Sequence, residues 1–388
     1  MTTIVLSLLI IVFCVWVLSV ITDVFFIESL DVISEKMELP PSVAGASLMA
    51  MGSSAPELAI ALLALFSGGG EHSDVGIGTI VGSAVFNVLV ITGVSAIAMP
   101  AVVQVRTILR DCLFYGLAIG MLLWVFQDGV VVIPEALSFL GLYVFYLVIL
   151  FKWKEPQKDP TKEEGDLHDD AVVDDIAEEI ETQSRLTKLL AKLLGVFSGD
   201  PRVNYVRSFV VSVVVIGGIC FLLVEAALAL AAAMGIPPLV VALTILAGGT
   251  SVPDMISSIV VARQGRGDMA VANAIGSNIF DILICLGVPW LLTLAVLGNE
   301  VHVDTAGLSS SVIILLATVA LLLVFSLSGR VLSRVEGAFL LLAYVAYAIY
   351  IWLQPMPAKA EHKEPASVSA PESPSSAAKN TLKEVDAP

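Results

Sequence analysis

Residues 52–58 read GSSAPEL, and residues 249–255 read GTSVPDM, an offset of 197. The same offset pairs Pro40-Pro41 with Pro237-Pro238, and Glu28 with Glu225. A second stretch, GSAVFNVL at 82–89, returns as GSNIFDIL at 276–283 with an offset of 194. The short difference is absorbed between the motifs, in SGGGEHSD against ARQGRGD. Two ordered motifs with one small indel mark an internal duplication, and a repeat of this kind sets the reading of the whole chain. Chance apolar similarity would not carry a proline and a carboxylate along.

The surrounding sequence belongs in a bilayer. Of 388 residues, 57% are hydrophobic and 14% charged, and the mean hydropathy is +0.93. A soluble domain of this length needs more charge than that. Several apolar runs reach the roughly 20 residues that cross about 30 Å of hydrocarbon. Ten spans follow, at about 4–27, 41–66, 75–99, 108–127, 131–151, 206–233, 238–262, 269–297, 307–327 and 333–353. The start, MTTIVLSLLIIVFCVWV, lacks a basic n-region and reads as a retained first helix.

Basic residues orient the spans. With the amino terminus outside, the inner connections carry Lys36, Arg106, Arg110, the stretch from Lys152 to Arg207, Arg263, Arg266, Arg330 and Arg334. The outer connections at 67–74, 128–130, 234–237 and 298–306 hold no Lys or Arg. This positive-inside pattern puts both termini outside; the cell membrane is the expected location. Tail lysines 359, 363, 379 and 383 lie in a Pro/Ser/Ala-rich segment where the rule applies weakly.

Each repeat contains five spans, and an odd number makes the second copy enter the bilayer from the opposite face. The expected fold is an all-α membrane protein of ten transmembrane helices in two inverted five-helix repeats. Such repeats are the architecture of secondary transporters with a site near the midplane. The parts are a first repeat (1–152), a loop (153–205), a second repeat (206–354) and a disordered tail (355–388). The loop begins with twelve acids against two lysines over 155–181, which supplies most of the net charge of −16. It then turns amphipathic, with Leu186, Leu189, Leu190, Leu193 and Leu194 at helical spacing beside Lys188 and Lys192, as in a helix on the inner membrane surface. No EF-hand spacing accompanies the acids. An acidic loop on a greasy body excludes nucleic acid as a partner and leaves the lipid bilayer and inorganic cations. The four cysteines match no zinc or disulfide pattern and read as inert core residues.

The motifs carry the chemistry. Pro56 and Pro253 each remove a backbone donor and release the carbonyls of Gly52 and Gly249. Beside them stand Ser53, Ser54 and Glu57 in one copy, and Thr250, Ser251 and Asp254 in the other. The second motif adds Ser83 and Asn87, then Ser277, Asn278 and Asp281. Carboxylate, carbonyl, hydroxyl and amide oxygens are the hard ligands that calcium and sodium take. No Lys, Arg or His stands in these helices near mid-membrane, so a mobile cation is the simplest partner for Glu57, Asp254 and Asp281. Kinked helices packed through Ser and Gly account for the small residues taken singly, but not for three acids at related positions.

GSSAPEL followed by HSDVGIGTIVGSAVFN, and GTSVPD followed by GDMAVANAIGSNIFDIL, resemble the two alpha repeats of the cation/calcium exchanger superfamily, above all its potassium-dependent sodium/calcium exchangers. The resemblance covers essentially all of residues 1–353. It implies the sodium/calcium exchanger fold and an antiporter, not an enzyme, with no cofactor and with calcium, sodium and potassium as cargo. It further implies that calcium is held by Glu57 and Asp254, with carbonyls near Ala50 and Ala247 and at Ser53 and Thr250. Sodium would use Ser54, Ser83, Asn87, Ser251, Ser277 and Asp281. Potassium transport goes with Asp at position 281, and the first and sixth helices would slide against the rest. A calcium/proton antiporter is the nearest rival, needing only the carboxylates. GRGD at 265–268 formally fits an intramembrane aspartyl protease, but it lies beside arginines at a helix edge and leaves Glu57 unexplained.

Overall fold

The computed structural model describes residues 1–37, 50–66, 73–102, 104–152, 185–263, 267–297, 301–303, 305 and 307–354. The acidic part of the loop, the tail, Pro40-Pro41 and Gly265-Arg266 lie outside them. The helices are α1 (Thr2–Lys36), α2 (Ala55–Phe66), α3 (Ser73–Ala98), α4 (Val105–Val125) and α5 (Ile133–Lys152). They continue with α6 (Arg185–Ser198), α7 (Tyr205–Met234), α8 (Pro238–Arg263), α9 (Gly267–Leu283), α10 (Gly287–Leu297), α11 (Leu308–Gly329) and α12 (Arg334–Leu353). Among the described residues, nine segments are long and apolar enough to cross a membrane, with α9 and α10 counted as one. The tenth expected span is α2, preceded by a single turn at Ala50–Ser53; the first part of that span falls outside the described residues.

Local sequence explains where helices stop and start. Helix α7 ends at Gly235, whose φ of 68° is the left-handed cap glycine adopts without cost. Pro238 then opens α8 at a position where its missing N–H is harmless. Helix α12 opens on a capping box, in which Ser333 and Glu336 satisfy each other's backbone donors.

Four two-residue strands join the repeats. β1 (Ala101–Val102) pairs antiparallel with β4 (Val331–Leu332), and β2 (Val130–Val131) with β3 (Val301–His302). β1 and β4 both lie in connections expected on the basic side, and β2 and β3 in connections expected on the other. Each ribbon links a connection of one repeat to a connection of its mate. The two ribbons exchange places when the repeats are interchanged, as an inverted duplication requires.

Apolar packing falls into separate clusters. The largest joins α3, α4, α5, α9, α10, α11 and α12 with parts of α2 and α8. A second joins α1 and α7, including Ile21, Phe26, Cys220 and Leu223, with the near edges of α2, α3 and α8. Because lipid is as apolar as leucine, close approach in the bilayer depends on small residues. Gly78 and Gly82 of α3 form a G-x-x-x-G face on α8: a Cβ on Gly82 would lie 2.5 Å from the Leu243 carbonyl oxygen and 2.7 Å from Ala247 Cβ. The α3 backbone is therefore pressed against the stretch that leads into GTSVPD.

The amphipathic part of the loop is α6. Trp16 Nε1 donates to Thr187 Oγ1 at 3.3 Å, while Gly195 meets the Phe25 ring. Nine residues on α1 thus match eight on α6, which at 1.5 Å per residue sets the helices side by side. The Arg207 guanidinium donates to the Phe197 carbonyl at 2.9 Å and covers the end of α6. Leu186, Leu189, Leu193, Val196 and Phe197 point outward.

Gly82→Ala should lower the melting temperature of the purified protein, because backbone cannot yield as a side chain can. A cost of about 1–3 kcal/mol is expected for overpacking of this kind. Gly116→Ala, with open space around its Cβ, should leave the melting temperature in place.

Candidate cation site

The first half of the site is the start of α2. Ser54 N–H donates to the Ala50 carbonyl at 3.0 Å and Leu58 N–H to the Ser54 carbonyl at 3.0 Å, so the chain stays helical through the motif. Pro56 has no N–H to return to Gly52, and one rung is missing. In α8 the same motif follows a widened π turn at Ala242–Leu246. Such turns inside helices concentrate at functional positions. The copies match in detail: Ser53 Oγ lies 3.4 Å from the Ala50 carbonyl oxygen, and Thr250 Oγ1 lies 3.3 Å from that of Ala247.

The second half comes from α3 and α9, and again the copies match. Thr92 N–H bonds the Asn87 carbonyl, five residues back, at the end of the π turn Asn87–Ile91. Cys285 N–H bonds the Phe280 carbonyl, also five residues back, at 3.2 Å. Both widened turns fall at or just beyond repeat-related Asn87 and Asp281. Ser83 Oγ donates to the Ile80 carbonyl at 3.0 Å, and Ser277 Oγ lies 3.1 Å from the Asn273 carbonyl oxygen and 3.3 Å from that of Ala274. These hydroxyl hydrogens are used within their own helices, so the serines offer oxygen lone pairs outward.

The halves meet through the carboxylates. Thr250 of α8 interacts with the Glu57 carboxylate of α2. Ser54, just before α2, interacts with the Asp281 carboxylate of α9. Asp281 interacts electrostatically with both Glu57 and Asp254. Glu57 and Asp281 are buried (4% and 2% exposed), whereas Asp254 is half-buried. Among the described residues of the motifs, three buried oxygens have no protein hydrogen-bond partner: Glu57 Oε2, Asn87 Oδ1 and Ser251 Oγ. All three can serve as acceptors, and a cation satisfies such a set without donating a hydrogen bond. Among the described residues, no three His, Cys, Asp or Glu side chains stand close enough to hold a metal unaided. A cation here would need the hydroxyl, amide and backbone oxygens as well.

Among the described residues no fixed cation balances these acids, and no ion pair includes Glu57, Asp254 or Asp281. Arg110 holds its neighbour Asp111 at 2.8 Å, and Arg202 holds Glu28 at 2.5 Å. The latter gives Glu28 its own counter-charge.

Four residues enter that the motif reading had treated differently or passed over. Asn278, grouped there with the oxygen donors, has every amide atom engaged by protein. Cys285 Sγ lies 3.7 Å from Asp281 Oδ1 and 3.8 Å from the Ser54 carbonyl oxygen. Cys220 Sγ lies 3.7 Å from the Pro56 carbonyl oxygen. These two thiols therefore line the polar centre, and only the other two cysteines fit the inert reading. Asp23, on the π turn Thr22–Ile27 of α1, interacts electrostatically with Asp254; an acid inside an apolar run was its only signal.

Buried acids without fixed partners, hydroxyl and amide oxygens around them, and paired helix breaks in an inverted repeat define a secondary transporter whose cargo is cationic. The chain belongs to the sodium/calcium exchanger protein family, whose profile matches residues 6–152 and 205–353. It is 28% identical to sodium/potassium/calcium exchanger 4 of Mus musculus, over 86% of this chain and 79% of that protein. Identity to sodium/potassium/calcium exchanger 5 of Homo sapiens is also 28%, over 89% and 82%. The putative antiporter CaxA of Alkalimonas amylolytica is 30% identical, over 83% of this chain and 91% of that protein. The same fold occurs in the sodium-calcium exchanger NCX_Mj, with a TM-score of 0.54 at 21% identity over 89% of this chain and 99% of that one. The H+/Ca2+ exchanger CAX superposes with a TM-score of 0.61 at 18% identity, over 91% and 85%.

Thr250→Val removes the hydroxyl beside Glu57 while keeping the side-chain shape. A hydrogen bond to a charged group contributes about 1.5–3 kcal/mol. The calcium concentration for half-maximal binding should therefore rise about ten- to a hundredfold, and Thr250→Ser should restore it.

Proposed function

We propose that this protein exchanges sodium for calcium across a cell membrane, carrying potassium with calcium, by alternating access at one site. The observation that carries the reading is the set of carboxylates that lack a fixed counter-ion among the described residues, with Thr250 beside Glu57 and Ser54 beside Asp281 across the repeats. Glu57 and Asp254 would hold calcium, with carbonyl oxygens of Ala50, Ala247, Ser53 and Thr250. Ser54, Ser83, Asn87, Ser251, Ser277 and Asp281 would complete the sodium positions. An oxygen-rich centre of this size suits either one calcium ion or several sodium ions.

Obligatory exchange follows from electrostatics. Loaded with cations of either kind, the centre is close to neutral and can pass from one face to the other. Empty, it would carry bare carboxylates through a low-dielectric barrier, at several kcal/mol per ion. Occupancy thus gates the conformational change, and one cargo must leave for the other to bind. Separate apolar packing of α1 and α7 supports these two helices as the sliding pair. If each cycle moves net charge, the membrane potential contributes about 2.3 kcal/mol per charge per 100 mV. With the termini outside and sodium high outside, calcium would be extruded.

Names and chemistry support potassium as a passenger. The mouse and human relatives above are called sodium/potassium/calcium exchangers. Here Asp281 supplies a carboxylate where its repeat mate is Asn87, so the centre holds one more charge than a symmetric pair of amides would. The ring of hydroxyl and amide oxygens favours sodium over a proton as counter-cargo, because protons need only the carboxylates.

Sodium-loaded liposomes bearing the protein should take up calcium-45 only with an outward sodium gradient. External potassium should stimulate uptake where lithium or choline does not. Glu57→Ala and Asp254→Ala should each abolish uptake with the protein still inserted and monodisperse. Uptake driven by a pH gradient without sodium would replace this reading with calcium/proton exchange. Asp281→Asn should lose potassium stimulation and keep part of the calcium flux; wild-type potassium stimulation in that variant would remove Asp281 from the potassium position.

A further inference from the structure

An asparagine in a cation site poses a problem that an aspartate does not. Its amide has two ends of nearly equal size, one an oxygen that binds a cation and one an NH2 that repels it. Something must decide which end faces the ion. We propose that Asn278 is the positioning residue that turns Asn87 so that its oxygen, not its NH2, faces the cargo. The inference rests on the reading of Asn87 as a cation ligand.

A backbone atom anchors the argument. The Ala84 carbonyl oxygen can only accept, and Asn278 approaches it at 3.1 Å, so Asn278 must present Nδ2 there. The same Nδ2 lies 3.0 Å from the Tyr115 hydroxyl oxygen, which takes its second hydrogen. Both hydrogens of Asn278 are then engaged, and its Oδ1 faces Asn87 at 2.9 Å from Asn87 Nδ2. Two amide oxygens would repel at that distance, so Asn87 is obliged to turn its NH2 toward Asn278. What remains is Asn87 Oδ1, buried and without a protein partner. Asn278 itself is fully buried, both its hydrogens are engaged, and its oxygen accepts from Asn87. Its place in this chain of contacts is that of a support for Asn87.

The duplication supplies an internal control. At the offset of 194, Asn87 corresponds to Asp281, and Asn278 corresponds to Ala84. Asp281 has two oxygens, so either face of its carboxyl binds a cation and nothing need orient it; the mate of Asn278 is accordingly an alanine. The orienting amide stands only in the copy that faces an asparagine.

The test is a double-mutant cycle between Asn278→Ala and Asn87→Asp in the full-length protein, read in liposomes as the calcium concentration for half-maximal sodium-driven calcium-45 uptake. In the wild-type background, Asn278→Ala should raise that concentration tenfold or more, with a smaller effect on the maximal rate. In the Asn87→Asp background, where both atoms are oxygens, it should raise it twofold or less. An equal factor in both backgrounds, or no effect in the wild-type background, overturns the proposal. Asn278→Leu, which fills the space without hydrogen bonding, replaces Asn278→Ala if that variant does not insert, with the same outcomes. Absence of sodium-driven uptake by the unmodified protein would sink the exchange reading instead. The same cycle, read as calcium-45 binding to purified protein, would then still decide the role of Asn278.

Discussion

Three neighbouring carboxylates inside the helical bundle, two of them buried and none with a fixed positive charge among the described residues, are a standing electrostatic cost, and much of the molecule is arranged around meeting it. In hydrocarbon, an acid either takes a proton, finds a basic side chain or finds a metal ion. The two arginine pairs described have their own acids, Asp111 and Glu28, and do not serve the centre. The acids Glu57, Asp254 and Asp281 have no such partner among the described residues, and in the proposed exchange the cargo supplies the missing positive charge. This is why binding and movement are coupled in such a site: the ion being carried is also what makes the carrying conformation tolerable.

Duplication explains how a helical bundle builds this centre. A single proline-broken helix frees carbonyls on one side only, and those carbonyls need a polar cavity to justify their place in the bilayer. Two copies in opposite orientation bring two breaks to one depth. They also double the hydroxyls: Ser53 and Thr250 make the same contact to Ala50 and Ala247. Glycines make the meeting possible, since any side chain at Gly82 would push α3 away from the turn that carries Thr250. Packing, backbone irregularity and charge all place the α2, α3, α8 and α9 motifs around one point.

Much of this was legible in the sequence because the governing signals are local. A proline next to a carboxylate inside an apolar run, repeated at fixed offset, states a helix break and a buried acid. An odd number of spans per repeat states inversion, and the strand pairs at Ala101–Leu332 and Val130–His302 agree with it. The site's inner wiring was not legible, because it joins residues far apart in the chain. Tyr115, Asn278 and Asn87 touch only after three helices have packed, and nothing near Asn278 distinguishes a ligand from an orienting amide. Cys220 and Cys285 looked like ordinary apolar residues; only the fold sets their thiols beside the carbonyls of Pro56 and Ser54. Asp23 lacked a repeat mate of its own kind, since position 220 is a cysteine, and a search for duplicated acids passes over it.

Competition at a single neutralisable centre is the claim most exposed to test, and equilibrium binding reaches it without the complications of flux. Purified protein should bind calcium-45, and rising sodium should displace all of it along a sigmoidal curve, because several sodium ions replace one calcium. Calcium that stays bound at saturating sodium, or that binds unchanged when Glu57 and Asp254 are both replaced by alanine, would contradict it.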